Sequence, residues 1–208
     1  MKGIRYGVIV GTVGLMSASQ ASPTMLVSIP IADTLGHREV AIGHTITGFQ
    51  PSVDKKFAHS ASFTIGGFDR FEIGGSTDYL GYQTFSLKYS LWDSPSWAPN
   101  TALAVGVMNV RGKDQDRYVV GRYDLGSVRF HAGAARLGNV GAGIFGIDAD
   151  LKYATGQADH ISGKDGYTWL ALSRDLGSGF NVQFALGLPN AKENGWQHFY
   201  FAGYGFRF

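Results

Sequence analysis

From Glu39 to the end of the chain, apolar and polar residues alternate with a period of two, in short runs separated by turn-forming residues. A period of two shows each side chain to one face of an extended strand. Residues 82–92 are the plainest case: Phe85, Leu87, Tyr89 and Leu91 alternate with Thr84, Ser86, Lys88 and Ser90. Residues 39–48 oppose Val40, Ile42 and Ile46 to Ala41, Gly43, Thr45 and Thr47, and residues 56–66 oppose Phe57, Ala61, Phe63 and Ile65 to Ala58, Ser60, Ser62 and Thr64. In 70–79, Phe71, Ile73 and Tyr79 oppose Glu72, Gly74, Ser76 and Asp78. The pattern returns in 101–110, 127–137, 142–149 and 179–188, and closes with 198–208. Segments 117–123, 155–161 and 166–173 alternate less clearly.

The pattern predicts twelve strands, with ten as the alternative if 117–123 or 155–161 is not a strand. Strands of about 9–11 residues cross a bilayer when tilted, and the segments have that length. The polar faces hold mostly Gly, Ala, Ser and Thr. That suits a narrow lumen better than the water-facing side of a soluble sandwich, which carries more charge. The expected fold is all-β: an antiparallel transmembrane β-barrel over residues 39–208. Both termini then share one side of the membrane, and 49–55, 78–82, 111–116, 138–141, 162–166 and 189–197 lie on the other. The connection 93–100 is long for the side that holds the termini. Two Asp-Leu-Gly-Ser repeats, 124–127 and 175–178, supply turns there.

At the N-terminus, Lys2 and Arg5 precede an apolar run from Tyr6 to Met16, and Ser19-Gln20-Ala21 offers small residues for cleavage. This is the layout of a secretory signal peptide. Cleavage after Ala21 is expected. The chain has 18 Lys+Arg and 16 Asp+Glu, and losing Lys2 and Arg5 leaves 18 − 2 = 16 cations against 16 anions. A neutral mature chain gives no reason to expect nucleic acid. Cys is absent, so neither a disulfide framework nor a lipidated cysteine is available. Residues 22–38 do not alternate, and Pro30 would interrupt a ladder. They are expected in the periplasm or tucked into the lumen as a partial plug.

The last eleven residues, His198 to Phe208, resemble the closing strand of bacterial outer-membrane β-barrels. Tyr200, Ala202, Tyr204, Phe206 and Phe208 share one face and the chain stops on an aromatic ring. The resemblance implies an outer-membrane location, with outer-membrane lipid and lipopolysaccharide as surroundings. It also implies an assembly signal at Tyr200, Tyr204, Phe206 and Phe208, read by the barrel assembly machinery. Gln157 to Gly163, Tyr167 to Phe180 and Leu188-Pro189-Asn190, with a little from Pro30, Ala32 and Asp33, resemble small YjbH-like barrels. That second likeness implies an envelope or polysaccharide-export setting and carries no catalytic residue across.

Four charged residues fall on the lumen side of the register: Glu72, Lys88, Arg129 and His131. They are expected either to fill the barrel as a salt-bridge network across the lumen or to form a constriction that selects solutes by charge. Gly141 to Gly146 matches G-x-G-x-x-G, but no helical period follows, so these glycines read as barrel packing. The six histidines form no compact ligand spacing, and no serine sits in G-x-S-x-G. Asp114 and Asp116 read as members of a solvated loop. No cofactor, metal or catalytic residue is expected. The chain is expected to be a narrow pore for small solutes or a closed structural barrel. A lipid-modifying enzyme on the same scaffold is the alternative. A surface-binding role is less suited to such short loops.

Overall fold

The computed structural model describes residues 25–49, 57–68 and 70–208; the expected signal peptide and its cleavage site lie outside them. Twelve strands run in chain order: β1 (Glu39–Phe49), β2 (Ala58–Gly66), β3 (Phe71–Thr77), β4 (Gln83–Asp93), β5 (Thr101–Arg111) and β6 (Asp114–Leu125), followed by β7 (Val128–Leu137), β8 (Val140–Leu151), β9 (Ala154–Ile161), β10 (Tyr167–Gly177), β11 (Phe180–Pro189) and β12 (Gln197–Arg207). Each pairs antiparallel with its sequence neighbours, and β1 also pairs with β12, closing the sheet. The closing seam runs from Glu39 opposite Arg207 to Phe49 opposite Gln197. Closure leaves no unpaired edge.

Burial follows the alternation, inverted relative to a water-soluble protein. On β4, Thr84, Lys88 and Ser90 are buried, while Phe85, Leu87, Tyr89 and Leu91 are exposed on the outer wall. Cross-strand rings brace that wall: Phe184 and Tyr200 lie 5.2 Å apart by ring centroid, and Phe180 and Tyr204 4.5 Å. Such pairs contribute about 0.5–1.5 kcal/mol each beyond their area.

The structure removes the ten-strand alternative, since both weakly alternating segments are strands, β6 and β9. It also corrects the expected loop at 111–116. The chain turns at Gly112, whose φ of 61° suits glycine, and β6 begins at Asp114. Asp116 is therefore buried on the inner wall, where it accepts from Asn109 Nδ2 at 2.8 Å and from the Gly138 amide at 2.6 Å. Those two bonds replace the water that a loop carboxylate would have had. The long 93–100 connection is folded on itself. Ser94 N bonds Thr101 O at 2.6 Å, Ala98 N bonds Pro95 O at 2.9 Å, and Trp97 meets Trp92 edge-on at 5.3 Å.

Glycines set the inner spacing. A Cβ at Gly133 would lie 2.1 Å from the Val119 carbonyl oxygen and 2.9 Å from Val120 Cα, both backbone atoms that cannot swing aside. Gly133→Ala is therefore expected to destabilise the barrel by about 1–3 kcal/mol, read as a lower urea midpoint of the detergent-folded protein.

Candidate functional site

Residues 25–35 run inside the barrel, and Gly36, His37 and Arg38 are exposed where the chain leaves it for β1. Within the inner part, Met25 and Pro30 form an isolated bridge. Leu26, Ile29, Ile31 and Ala32 pack against inner-wall residues including Ala104, Tyr118, Val120 and Ile144. Val27 packs on the other side against Trp169, Ala185 and Phe199. Val27 and Ile29 have 0% exposure. Gly146, from the G-x-G-x-x-G run on β8, makes room for this segment: a Cβ there would lie 2.3 Å from Leu26 Cδ1 and 2.8 Å from Ile29 Cδ1.

Three polar anchors tie the segment to the wall. The first is Asp159 on β9. Its Oδ2 accepts the backbone amides of Val27, Ser28 and Ile29 at 2.9, 2.7 and 3.3 Å, and its Oδ1 accepts the Ser28 hydroxyl at 2.8 Å. Three successive N–H groups converging on one carboxylate form an anion-binding concavity, here filled by the wall's own side chain. Beside it, Gln183 Nε2 on β11 donates to Leu26 O at 3.1 Å and contacts Gln157.

The second anchor is Asp33, which pairs with Arg122 on β6 and with Arg129 Nη1 on β7, the latter at 3.2 Å. Arg122 also meets Asp93 and Asp124, each at 2.9 Å. Arg129 Nε reaches Asp148 at 2.7 Å, and His131 Nε2 lies 2.7 Å from the other oxygen of the same carboxylate. The third anchor is the Glu72–Lys88 pair, 3.3 Å apart on β3 and β4. Lys88 Nζ lies 3.5 Å from Ile31 O, and the Leu35 amide donates to Glu72 Oε2 at 3.0 Å. In a ring of twelve strands, β3–β4 face β9–β11 across the lumen, so the segment spans the bore.

The register explains these meetings. Glu72 stands directly opposite Lys88, and Arg129 directly opposite Asp148. Glu72–Lys88 and Arg129–Asp148 therefore run along the wall between neighbouring strands, while Arg122 of β6 also reaches Asp93 at the end of β4, beyond its neighbour β5. Glu72 and Lys88 form one group and Arg129 and His131 another, and the N-terminal segment is what touches both. Asp33, Arg122, Asp148 and Asp159 complete the site and are not evident from single-strand patterns. Asp148 was reachable from the pairing of β7 with β8. Asp159 sits in the strand whose facing was ambiguous.

Tyr200, Tyr204, Phe206 and Phe208 of the closing strand lie on the outer wall, whereas Phe199 faces the lumen. Tyr200, Phe206 and Phe208 are exposed, and Tyr204 stacks on Phe206 at 5.8 Å. The Phe208 amide bonds Arg38 O at 3.1 Å, joining the chain end to the root of the inner segment. His44, His59 and Tyr79 form an outward chain: His44 Nδ1 lies 3.0 Å from the Tyr79 hydroxyl, and His59 Nδ1 3.4 Å from His44 Nε2. Among the described residues, no group of three or more His, Asp or Glu is placed to hold a metal ion.

At the level of sequence, no protein family and no curated protein matches the chain. Solved structures do. The KdgM porin superposes with a TM-score of 0.54 at 13% identity, covering 81% of this chain and 99% of its own. The KdgM porin in complex with disordered oligogalacturonate gives 0.54 at 14% identity, covering 82% and 99%. A substituted variant of the Rh. blastica porin gives 0.45 at 11% identity over 71% of this chain, which spans 55% of that porin's length. At these identities the likeness is one of architecture: the chain is a closed, twelve-stranded antiparallel β-barrel with the fold seen in the KdgM porin.

Proposed function

We propose that the chain is a bacterial outer-membrane barrel whose bore is occupied by its own N-terminal segment, leaving a closed or very narrow path for small solutes. The outer wall supports the location. It is predominantly apolar, with Phe85, Leu87, Tyr89 and Leu91 on β4 and Leu170 and Leu172 on β10 exposed, as a lipid-facing surface requires, and it carries the aromatic closing strand. The rim bearing Glu39 and Arg207 then faces the periplasm.

The observation that carries the functional reading is the three-point anchoring of residues 26–35. The segment's amides and carbonyls are satisfied by inner-wall side chains from opposite sides of the barrel. Backbone buried in this way has found partners for its polar groups, so the segment belongs to the resting structure. The lumen charges argue against an acidic-sugar channel of the kind suggested by the ligand in the KdgM complex. Lys88, Arg122 and Arg129 each face a carboxylate of the same chain. An anionic oligosaccharide would have to displace those partners.

Purified protein in planar bilayers tests the reading. Wild type is expected to show rare, small conductance steps and to leave sugar-loaded liposomes unswollen. Large, steady steps on insertion would overturn it. The outward His44–His59–Tyr79 chain favours one second reading, lipid modification at the outer wall. In that case, turnover of outer-leaflet lipid would fall at least tenfold in His44→Ala and His59→Ala.

A further inference from the structure

On the outer wall, Arg117 of β6 stands directly opposite Arg136 of β7. Both are exposed. They share their face with the next pair down, Val119 and Ala134. Directly opposed side chains on neighbouring strands have Cβ atoms about 5 Å apart, and like charges so placed repel. Among the described residues, no carboxylate lies within ion-pairing distance of either guanidinium. Asp116, one residue before Arg117, is turned inward and held by Asn109 and Gly138. Arg136 has one weak neutral contact, to Asn139 Oδ1 at 3.4 Å. Two forks of donors are thus held side by side with nothing anionic between them.

Their height fits a ligand that the membrane supplies. Arg136 lies eight residues up β7 from Val128, at the terminal rim. At about 3.4 Å per residue along the strand and a tilt of roughly 40°, that is about 20 Å of height. The pair sits near the far edge of an apolar belt about 25 Å tall, and long Arg stems reach further outward. Arg111 and Lys113 stand above it on the same rim, Arg111 stacked 4.3 Å over the Tyr82 ring. Next to Arg136 in the register is Gly141 of β8, where a Cβ would meet nothing within 4 Å. The wall is therefore open beside the guanidinium. Planar guanidinium forks match phosphate oxygens two at a time.

We infer that Arg117 and Arg136 form a clamp for the phosphate of an outer-leaflet lipid headgroup, that of lipopolysaccharide. The inference rests on the proposed outer-membrane placement, with the far rim outward. Gly141 leaves room for the sugar that carries the phosphate, and the opposed charges become an asset once the anion is seated.

The test uses the full barrel inserted into phosphatidylcholine liposomes, with insertion scored separately by heat-dependent gel mobility. Bisphosphorylated lipid A is then added and the retained lipid quantified by native mass spectrometry. Wild type is expected to retain bisphosphorylated lipid A at least tenfold better than its dephosphorylated form. Arg117→Ala/Arg136→Ala is expected to lose that preference while still inserting, and Arg117→Lys/Arg136→Lys to keep part of it. Equal retention by the double alanine variant, or of the dephosphorylated lipid, would overturn the clamp. Displacement by an equal concentration of inorganic phosphate would assign the site to the free ion and overturn the lipid assignment. Failure of wild type to insert would instead overturn the membrane placement.

Discussion

Asp159→Ala is expected to turn a quiet barrel into one that opens repeatedly. The substitution removes the acceptor of three buried amides and one hydroxyl in a single step. Hydrogen bonds to a charged group contribute about 1.5–3 kcal/mol each, and a buried donor left without an acceptor costs about 1–3 kcal/mol. Allowing for sharing of one carboxylate, the loss is on the order of 5 kcal/mol. Against it stand Leu26, Val27, Ile29 and Ile31, whose burial stabilises the docked segment by about 1.5–3 kcal/mol each. The apolar contacts are enough to keep the segment inside most of the time, but not to hold it in one register. The variant should therefore insert normally and show at least tenfold more frequent conductance steps than wild type. Asp159→Asn keeps one acceptor oxygen without the charge and should fall between the two. Unchanged traces in Asp159→Ala would mean that the anchor does not hold the segment.

The second large effect is at Lys88. Glu72 and Lys88 are both nearly inaccessible to solvent, and each is the other's opposite neighbour across β3 and β4. Removing one member of a buried pair leaves an uncompensated charge, which costs about 3–5 kcal/mol. Lys88→Met keeps the length of the stem and deletes the ammonium. It should lower the unfolding free energy in urea by that amount and also loosen Ile31, whose carbonyl faces Lys88 Nζ. Glu72→Gln/Lys88→Met removes both charges, and the side-chain amide oxygen it introduces can still accept from the Leu35 backbone N–H. It should recover most of the loss, because replacing a buried pair by neutral groups of similar volume is often close to neutral. A double variant as unstable as the single would mean that the pair itself, and not the stranded charge, carries the stability.

The wall of this barrel was legible because its cause is local. Period-two alternation follows from strand geometry alone, and bounds such as those of β4 or β11 come within a residue or two of the segments that show it. The signal weakens where the outer face is small or polar. On β6, Arg117 and Gly121 interrupt the apolar side, and on β9, Ala158 and His160 do. Asp116 reads as a loop residue because nothing in its own segment reveals the two donors, Asn109 and Gly138, that reach it inside. Glu72, Lys88, Arg129 and His131 could be placed by parity, and Asp148 through the β7–β8 pairing, but the contacts that the inner segment makes with them could not. Asp33 is far along the chain from the arginines that it meets, and Asp159 farther still from the amides it accepts. Such pairings depend on how many strands separate two walls, which a single sequence does not state. The inner segment has no period at all. Its burial is set by the closed sheet around it.

Because Cys is absent from the chain, a single introduced thiol reports on one position without interference. Val27→Cys places it where the side chain is fully enclosed, and Leu80→Cys places a reference at a position 91% exposed in the β3–β4 turn. In liposome-inserted protein, a water-soluble maleimide should label Leu80→Cys rapidly and Val27→Cys at least a hundredfold more slowly, with the difference vanishing in urea. Equal labelling rates in the folded barrel would contradict an N-terminal segment docked inside the bore.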